Sequence, residues 1–255
     1  MKQVVEIIRY KNEALFIYGA ICFLGALVCL VLSKYSSIQI LGISGWIKPF
    51  KFFLSVAIFT WTMGFYLHYL QNQKQVIIYS WSMIILFSAE LIPIIYQVSL
   101  GKMSHFNLET AFDKGIFNFM ALAITFLMLH TLYIGILFFN QNAFNAPETL
   151  VLAIKLSIIV TILFAFEGFV MGSILKHTVG SEDGSAGLPL VNWSKKYGDL
   201  RVAHFFGIHA LQLIPLITYL VAKNKRDVII ITCIYFAFVT YTLIHALQGK
   251  PFIKL

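Results

Sequence analysis

Seven times along this chain apolar residues run on for about 20 positions, the length a helix needs to cross the hydrocarbon of a bilayer. The runs cover Ala14–Leu32, Trp46–Leu70, Val76–Leu100, Gly115–Phe139, Leu150–Leu175, Val202–Val221 and Val228–Leu247. They predict an all-α, polytopic seven-transmembrane-helix bundle, one membrane domain over residues 1–255, with a structured long loop between the fifth and sixth helices. Successive helices of such a bundle run antiparallel. The segments around 34–45, 101–114 and 176–201 then share one side, here the loop face, with the C-terminus.

Polar interruptions of these runs are one-sided. Lys48, Lys51, Glu90, Gln97, Glu167, His177, Arg201, His204, His209, Gln212 and His245 all fall at or a few turns below the loop face, with Lys155 the main exception. An ionisable group inside a span is costly and marks function by default. At about 100° per residue, Arg201, His204, His209 and Gln212 fit one arc of about 140°, as on a helix lining a polar cavity. Interfacial anchoring is the alternative for Arg201 and His204. Glu90 and Gln97 are seven residues apart and face one way, with Pro93 between them freeing backbone groups that need polar partners. Lys48 and Lys51 either snorkel to the headgroups or pair with Glu90 or Glu167. His130 reads as a core hydrogen-bonding group and His68 as an interfacial anchor.

Two loop-face segments are too patterned to be connectors. In Gly101–Asp113, Thr110 is a helix N-cap with Asp113 three residues on, which accounts for Asp113 but not for His105 or Asn107. The segment from Lys176 to Arg201 mixes turn-forming glycines and Pro189 with Leu188, Leu190 and Trp193, the pattern of a compact loop folded back as a lid.

Composition adds little room for anything else. With 59% hydrophobic and 12% charged residues, the chain has no place for a soluble catalytic module. A net charge of +8 points to anionic lipid headgroups rather than nucleic acid, because the cations flank apolar runs. The N-terminal side carries seven cations in about 34 residues against nine in about 60 on the loop face, which by density places the N-terminus in the cytoplasm. The first apolar run lacks a small-residue cleavage site and reads as a retained anchor. Cys22, Cys29 and Cys233 lie inside runs and suggest neither a disulfide nor a thiolate metal site.

Ser104-His-Phe-Asn107 with Asp113, Gly184-Ser-Ala-Gly-Leu-Pro189 with Trp193-Ser194, Gly198-Asp-Leu-Arg-Val-Ala-His-Phe205 with Gly207-Ile-His-Ala-Leu-Gln212, and Trp46-Ile-Lys-Pro-Phe-Lys-Phe52 together resemble a family of uncharacterised bacterial integral membrane proteins. That resemblance spans most of the chain and implies a bacterial inner-membrane location, but no activity. A fainter likeness of the histidine, glycine-rich and Trp-Ser pattern is to haem A synthase, whose usual Glu and His-Arg context is not matched.

Two functions fit the pattern. One is a membrane enzyme for a lipid-soluble substrate, with a metal ion or haem as cofactor. His177, His204, His209 and His245 would bind the cofactor, the first three as metal ligands, and Glu90, Glu167 and His209 would serve catalysis. His-Ala-Leu-Gln occurs at both His209 and His245, as a two-sided haem ligation would want, although chance repetition explains it equally. The other is a carrier or receptor for a small anionic molecule held by Lys48, Lys51 and Arg201, with Gln97, His105, Asn107, Trp193, Asp199 and Gln212 also substrate-binding. A microbial rhodopsin is excluded in its retinal-binding form, since the seventh run contains no lysine for a Schiff base.

Overall fold

The computed structural model describes residues 2–184 and 187–254; Ser185 and Ala186 of the glycine-rich motif lie outside them. Most of the chain is helical. Among the described residues six helices are long and apolar enough to cross a membrane, and a bent helix pair brings the number to as many as seven. The chain divides into two compact units, Met1–Leu137 and Phe138–Leu255.

The first unit holds α1 (Lys2–Lys11), α2 (Glu13–Tyr35), a hairpin of β1 (Gln39–Ile40) and β2 (Ile43–Ser44), α3 (Ile47–Leu67), α4 (Gln73–Ser99) and most of α5 (Ala111–Asn140). Asparagines start its helices. Asn12 and Asn72 accept from the amides of Leu15 and Gln75, each at 3.3 Å, and so satisfy donors that the first turn leaves open. Gly19 and Gly25 of α2 have no side chain where the rings of Trp61 and Phe53 of α3 sit, so the two helices approach closely. The opposite face of α2 exposes Ile17, Ile21, Leu24, Val28 and Val31, an apolar stripe suited to lipid and not to water. Pro93 lies inside α4 without ending it.

The second unit holds α6 (Glu148–Phe166), α7 (Gly168–Ile174), β3 (Thr178–Val179), β4 (Gly198–Asp199), α8 (Leu200–Ile208), α9 (Ala210–Val221) and α10 (Lys225–Leu247). The fifth expected span is kept as Glu148–Ile174 with a one-residue irregularity, and the sixth is a bent pair. The irregularity falls at Glu167, and the sixth run bends by 55° at His209, between α8 and α9. Neither break is at a proline; Pro215 sits inside α9. At the second break Gln212 donates its amide to His209 at 3.1 Å, so the Ile208 carbonyl accepts the Thr161 hydroxyl at 3.4 Å instead. Phe206 likewise accepts the Tyr235 hydroxyl at 2.6 Å. Side-chain donors thus replace the helix ladder where water is excluded. The bend also dissolves the single arc expected for Arg201, His204, His209 and Gln212, since that arc presumes one straight helix.

Lys155 is accounted for without a charged partner: its ammonium lies 5.3 Å from the ring centre of Phe139 and 5.1 Å from that of Phe144. Gly198 is tighter still. A Cβ there would collide with the Ala246 carbonyl, backbone against backbone, so neither group can swing aside. Gly198→Ala is expected to destabilise the protein by about 1–3 kcal/mol, read as a lowered Tm of the purified protein. An unchanged Tm would show that β4 is not pressed against α10.

Candidate functional site

In the first unit, the start of α3, the end of α4, the 101–110 loop and the start of α5 meet at one end. Gly45, just before α3, packs against Val98 of α4, with its Cβ direction 3.3 Å from Val98 Cγ1. Gln97, fully buried, donates from Nε2 to Asp113 Oδ1 at 2.8 Å, and Lys102 meets Asp113 Oδ2 at 3.0 Å. Thr110 and Asp113 complete the expected cap: the Thr110 hydroxyl takes the Asp113 amide at 3.0 Å and donates to the Asp113 carboxylate at 2.8 Å. Asp113 is therefore structural, and its hydrogen bond raises the Lys102 pKa. The His105 ring lies 5.5 Å from that of Phe52 and 6.2 Å from that of Phe117, and Lys48 stands 5.9 Å from the Phe52 ring centre. Lys48 is also within electrostatic reach of Glu90, as one of the two readings of the lysines expected.

Unsatisfied polar atoms mark this end. Ser44 Oγ, Trp46 Nε1, Glu90 Oε2, Gln97 Oε1 and Asn107 Nδ2 are buried without a hydrogen-bond partner. Native structures pair nearly all such atoms, so five in one region identify a candidate site. Glu90, Gln97 and Asn107 were legible as intramembrane or unexplained loop polar groups. Ser44 and Trp46 were not, and their one signal is a place just before Lys48. A separate cavity of about 360 Å³, lined among others by Lys11, Asn12, His68 and Gln73, lies at the opposite end of α3, and none of its lining residues carries such an unpartnered atom.

The second unit places its histidines apart in chemistry. His177 Nδ1 bonds Asp183 at 2.5 Å. His204 Nδ1 approaches both the Phe164 carbonyl, at 3.0 Å, and Glu167 Oε2, at 3.3 Å, but only the first contact has hydrogen-bond alignment. Both Glu167 oxygens consequently stay buried and unpartnered. His209 Nδ1 meets Gln212 Oε1 at 3.2 Å and its ring lies 4.5 Å from that of Phe205, while His245 stacks on Tyr241. Among the described residues no three His, Cys, Asp or Glu side chains gather as metal ligands. The expected metal set of His177, His204 and His209 is not assembled, because each imidazole is committed to a different local partner.

Arg201 and Asp199 also change role. Arg201 donates from Nε to Asp199 Oδ1 at 2.9 Å, from Nη2 to Asp199 Oδ2 at 2.6 Å, and to the Asn192 carbonyl at 2.6 Å. Asp199 is 1% exposed and also accepts the amides of Ser194 and Arg201. This pair shapes the loop and starts α8. The described part of the loop is ordered by several contacts. β3 pairs with β4, Gly187 bridges Ser194, and Trp193 packs on Phe205, Phe206 and Phe252. Leu190 departs from expectation. It is 61% exposed at positive φ, so Trp193 anchors the loop and Leu190 does not.

No family model matches the chain, and no curated protein or solved structure matches it either.

The loop generates two expectations. Trp193→Ala removes the ring contacts and should speed limited proteolysis between residues 187 and 200; cutting that is rapid in the parent and unchanged in the variant would mean a loose connector. At Asp183 burial pushes the carboxyl pKa up, but hydrogen bonds from the His177 ring and amide and the Thr178 hydroxyl outweigh it and hold the group below the usual carboxylate range. A depressed folded pKa stabilises above the unfolded value of about 3.9 and is lost as pH falls below it. Pepsin should cut near Asp183 increasingly as pH falls from about 4, and Asp183→Asn should flatten that dependence by cutting freely throughout.

Proposed function

We propose that this chain is a seven-helix integral membrane protein that binds a small anionic molecule at the loop end of its first unit, as a carrier or receptor. The observation that supports it is the cluster of five unpartnered buried polar atoms beside Lys48 and Lys51. Buried donors and acceptors cost free energy unless a partner arrives, and two lysines on one turn of α3 give an arriving anion its charge complement. Arg201 takes no part, being bound to Asp199. The metal- or haem-dependent enzyme reading falls behind, because its histidines hold separate partners. Membrane lipid is the surrounding partner, a bacterial inner membrane the proposed location, and the N-terminus cytoplasmic.

Seven spans put the two termini in opposite compartments. Reporter fusions at each end test this, and matching signals would reduce the count to six, with the bent α8–α9 pair not crossing. For binding, 3-phenylpropanoate is a suitable probe, given the aromatic surround of Phe52 and Phe117. It should raise the Tm of the purified full-length protein, and Lys48→Gln with Lys51→Gln should weaken its Kd about tenfold or more, equivalent to about 1.4 kcal/mol. If neither this anion nor its hydroxylated analogue shifts the Tm, the reading fails.

A further inference from the structure

The cavity of about 360 Å³ in the first unit lies where α1 passes into α2, α3 ends and α4 begins, and its lining has two characters. Gly64 and Leu67 of α3 and Val76 of α4 are its buried, apolar part. Lys11, Asn12, His68 and Gln73 form a more exposed polar rim, and no acidic side chain lines it.

Specific contacts hold this rim. Ile8 of α1 packs on α3 at Gly64, where a Cβ would lie 3.1 Å from Ile8 Cγ2. Asn12 donates from Nδ2 to Ser80 Oγ of α4 at 2.7 Å and accepts the Leu15 amide. Lys11 stands between these two anchors in the chain, so its backbone is fixed at the cavity while its side chain reaches the surface. Gln73 donates from Nε2 to the Leu70 carbonyl at 2.7 Å. With both amide groups engaged in this way, recognition of charge falls to Lys11 and His68. None of the ion pairs among the described residues includes Lys11, and no side-chain hydrogen bond among them engages His68. The two lie within electrostatic reach of each other. A cavity edged by a lysine and an imidazole, with no carboxylate among its lining, is complementary to an anion.

Depth says what kind of anion. Leu67 ends α3 and Gln73 begins α4, two helices long and apolar enough to cross a membrane, so the rim lies at the level where hydrocarbon gives way to headgroups. Gln73 also heads an i, i+4 row of α4 whose next members, Ile77, Trp81 and Ile85, are all exposed. That row leads from the rim down the lipid-facing side of the helix. We infer that the cavity binds the headgroup of an anionic phospholipid, its phosphodiester facing Lys11 Nζ and the His68 ring and an acyl chain following Ile77, Trp81 and Ile85. A choline headgroup would set its own ammonium beside Lys11, whereas a glycerol headgroup leaves the phosphate charge unopposed. This site is separate from the anion reading at the loop end, and either can fail alone.

The test titrates the full-length protein, purified in a non-ionic detergent, with dioleoylphosphatidylglycerol, dioleoylphosphatidylcholine and glycerol phosphate, reading Kd by native mass spectrometry. Phosphatidylglycerol should bind at least about fivefold tighter than phosphatidylcholine, the worth of one lysine at an anionic surface. Glycerol phosphate, a head without a tail, should bind more weakly than phosphatidylglycerol. Lys11→Gln should abolish the preference between the two lipids, and because Lys11 is exposed its replacement leaves the packing intact. His68→Phe, which keeps a ring beside Tyr69 and removes the N–H, should weaken phosphatidylglycerol as well. Lys74→Gln makes the same charge change at an exposed lysine outside the cavity lining and should leave the preference in place. Equal binding of the two lipids to the parent protein overturns the inference. So does an equal loss in Lys74→Gln and Lys11→Gln, which would show attraction to any lysine on this face. Glycerol phosphate binding as tightly as phosphatidylglycerol would assign the cavity to a soluble phosphate and overturn the lipid assignment.

Discussion

A carbonyl or carboxylate withdrawn from water inside a bilayer has only protein to bond to, and the geometry of this chain follows from how it meets that demand. Where α8 gives way to α9, Thr161 and Tyr235 hydroxyls take carbonyls that the helix ladder has dropped. Where α6 gives way to α7, the Phe164 carbonyl is taken by the His204 ring. A carbonyl can only accept, so His204 Nδ1 carries the hydrogen in this arrangement. That assignment explains why Glu167, though 3.3 Å from the same nitrogen, gains no aligned bond.

The same demand sorts the acidic residues. Asp113, Asp183 and Asp199 collect capping amides, hydroxyls and cations from neighbours close in sequence, and each fixes a loop or helix start. Glu90 and Glu167 sit within or between helices, where the neighbouring backbone is already bonded, and they keep unpartnered oxygens. Short acids at helix starts therefore build this protein. The two longer acids in the spans are not used this way, Glu90 lying within reach of Lys48 and Glu167 beside His204.

Spans were legible because lipid imposes length and apolarity together, and α2, α3, α4, α5 and α10 begin and end within a few residues of the apolar runs. The breaks were not. Pro93 and Pro215 suggest kinks where the helix continues, while Glu167 and His209 interrupt it through tertiary donors that no local pattern encodes. Once α8 and α9 bend by 55°, an angular argument across His209 loses its frame. Pairings were hidden for a related reason. His177 with Asp183 and Arg201 with Asn192 depend on how a glycine-rich loop closes, and the residues alone state only that it can. Thr110 with Asp113 was readable because a capping box is set by sequence spacing.

That local closure bears on where an anion can bind. Arg201 is one of three cations expected to hold an anion, and its guanidinium is a fork matched to carboxylates. Its fork is filled by Asp199, two residues earlier, and by the Asn192 carbonyl of the same loop. An external carboxylate would have to displace a buried internal one at nearly unlimited effective concentration, and Asp199 has nowhere else to discharge. Lys48 and Lys51 have no aspartate beside them in sequence, and Lys48 lies within electrostatic reach of Glu90. What the first unit leaves open at its loop end is hydrogen bonding, since Gln97 Oε1 and Asn107 Nδ2 are buried there without a partner and no neighbour in sequence fills them as Asp199 fills Arg201.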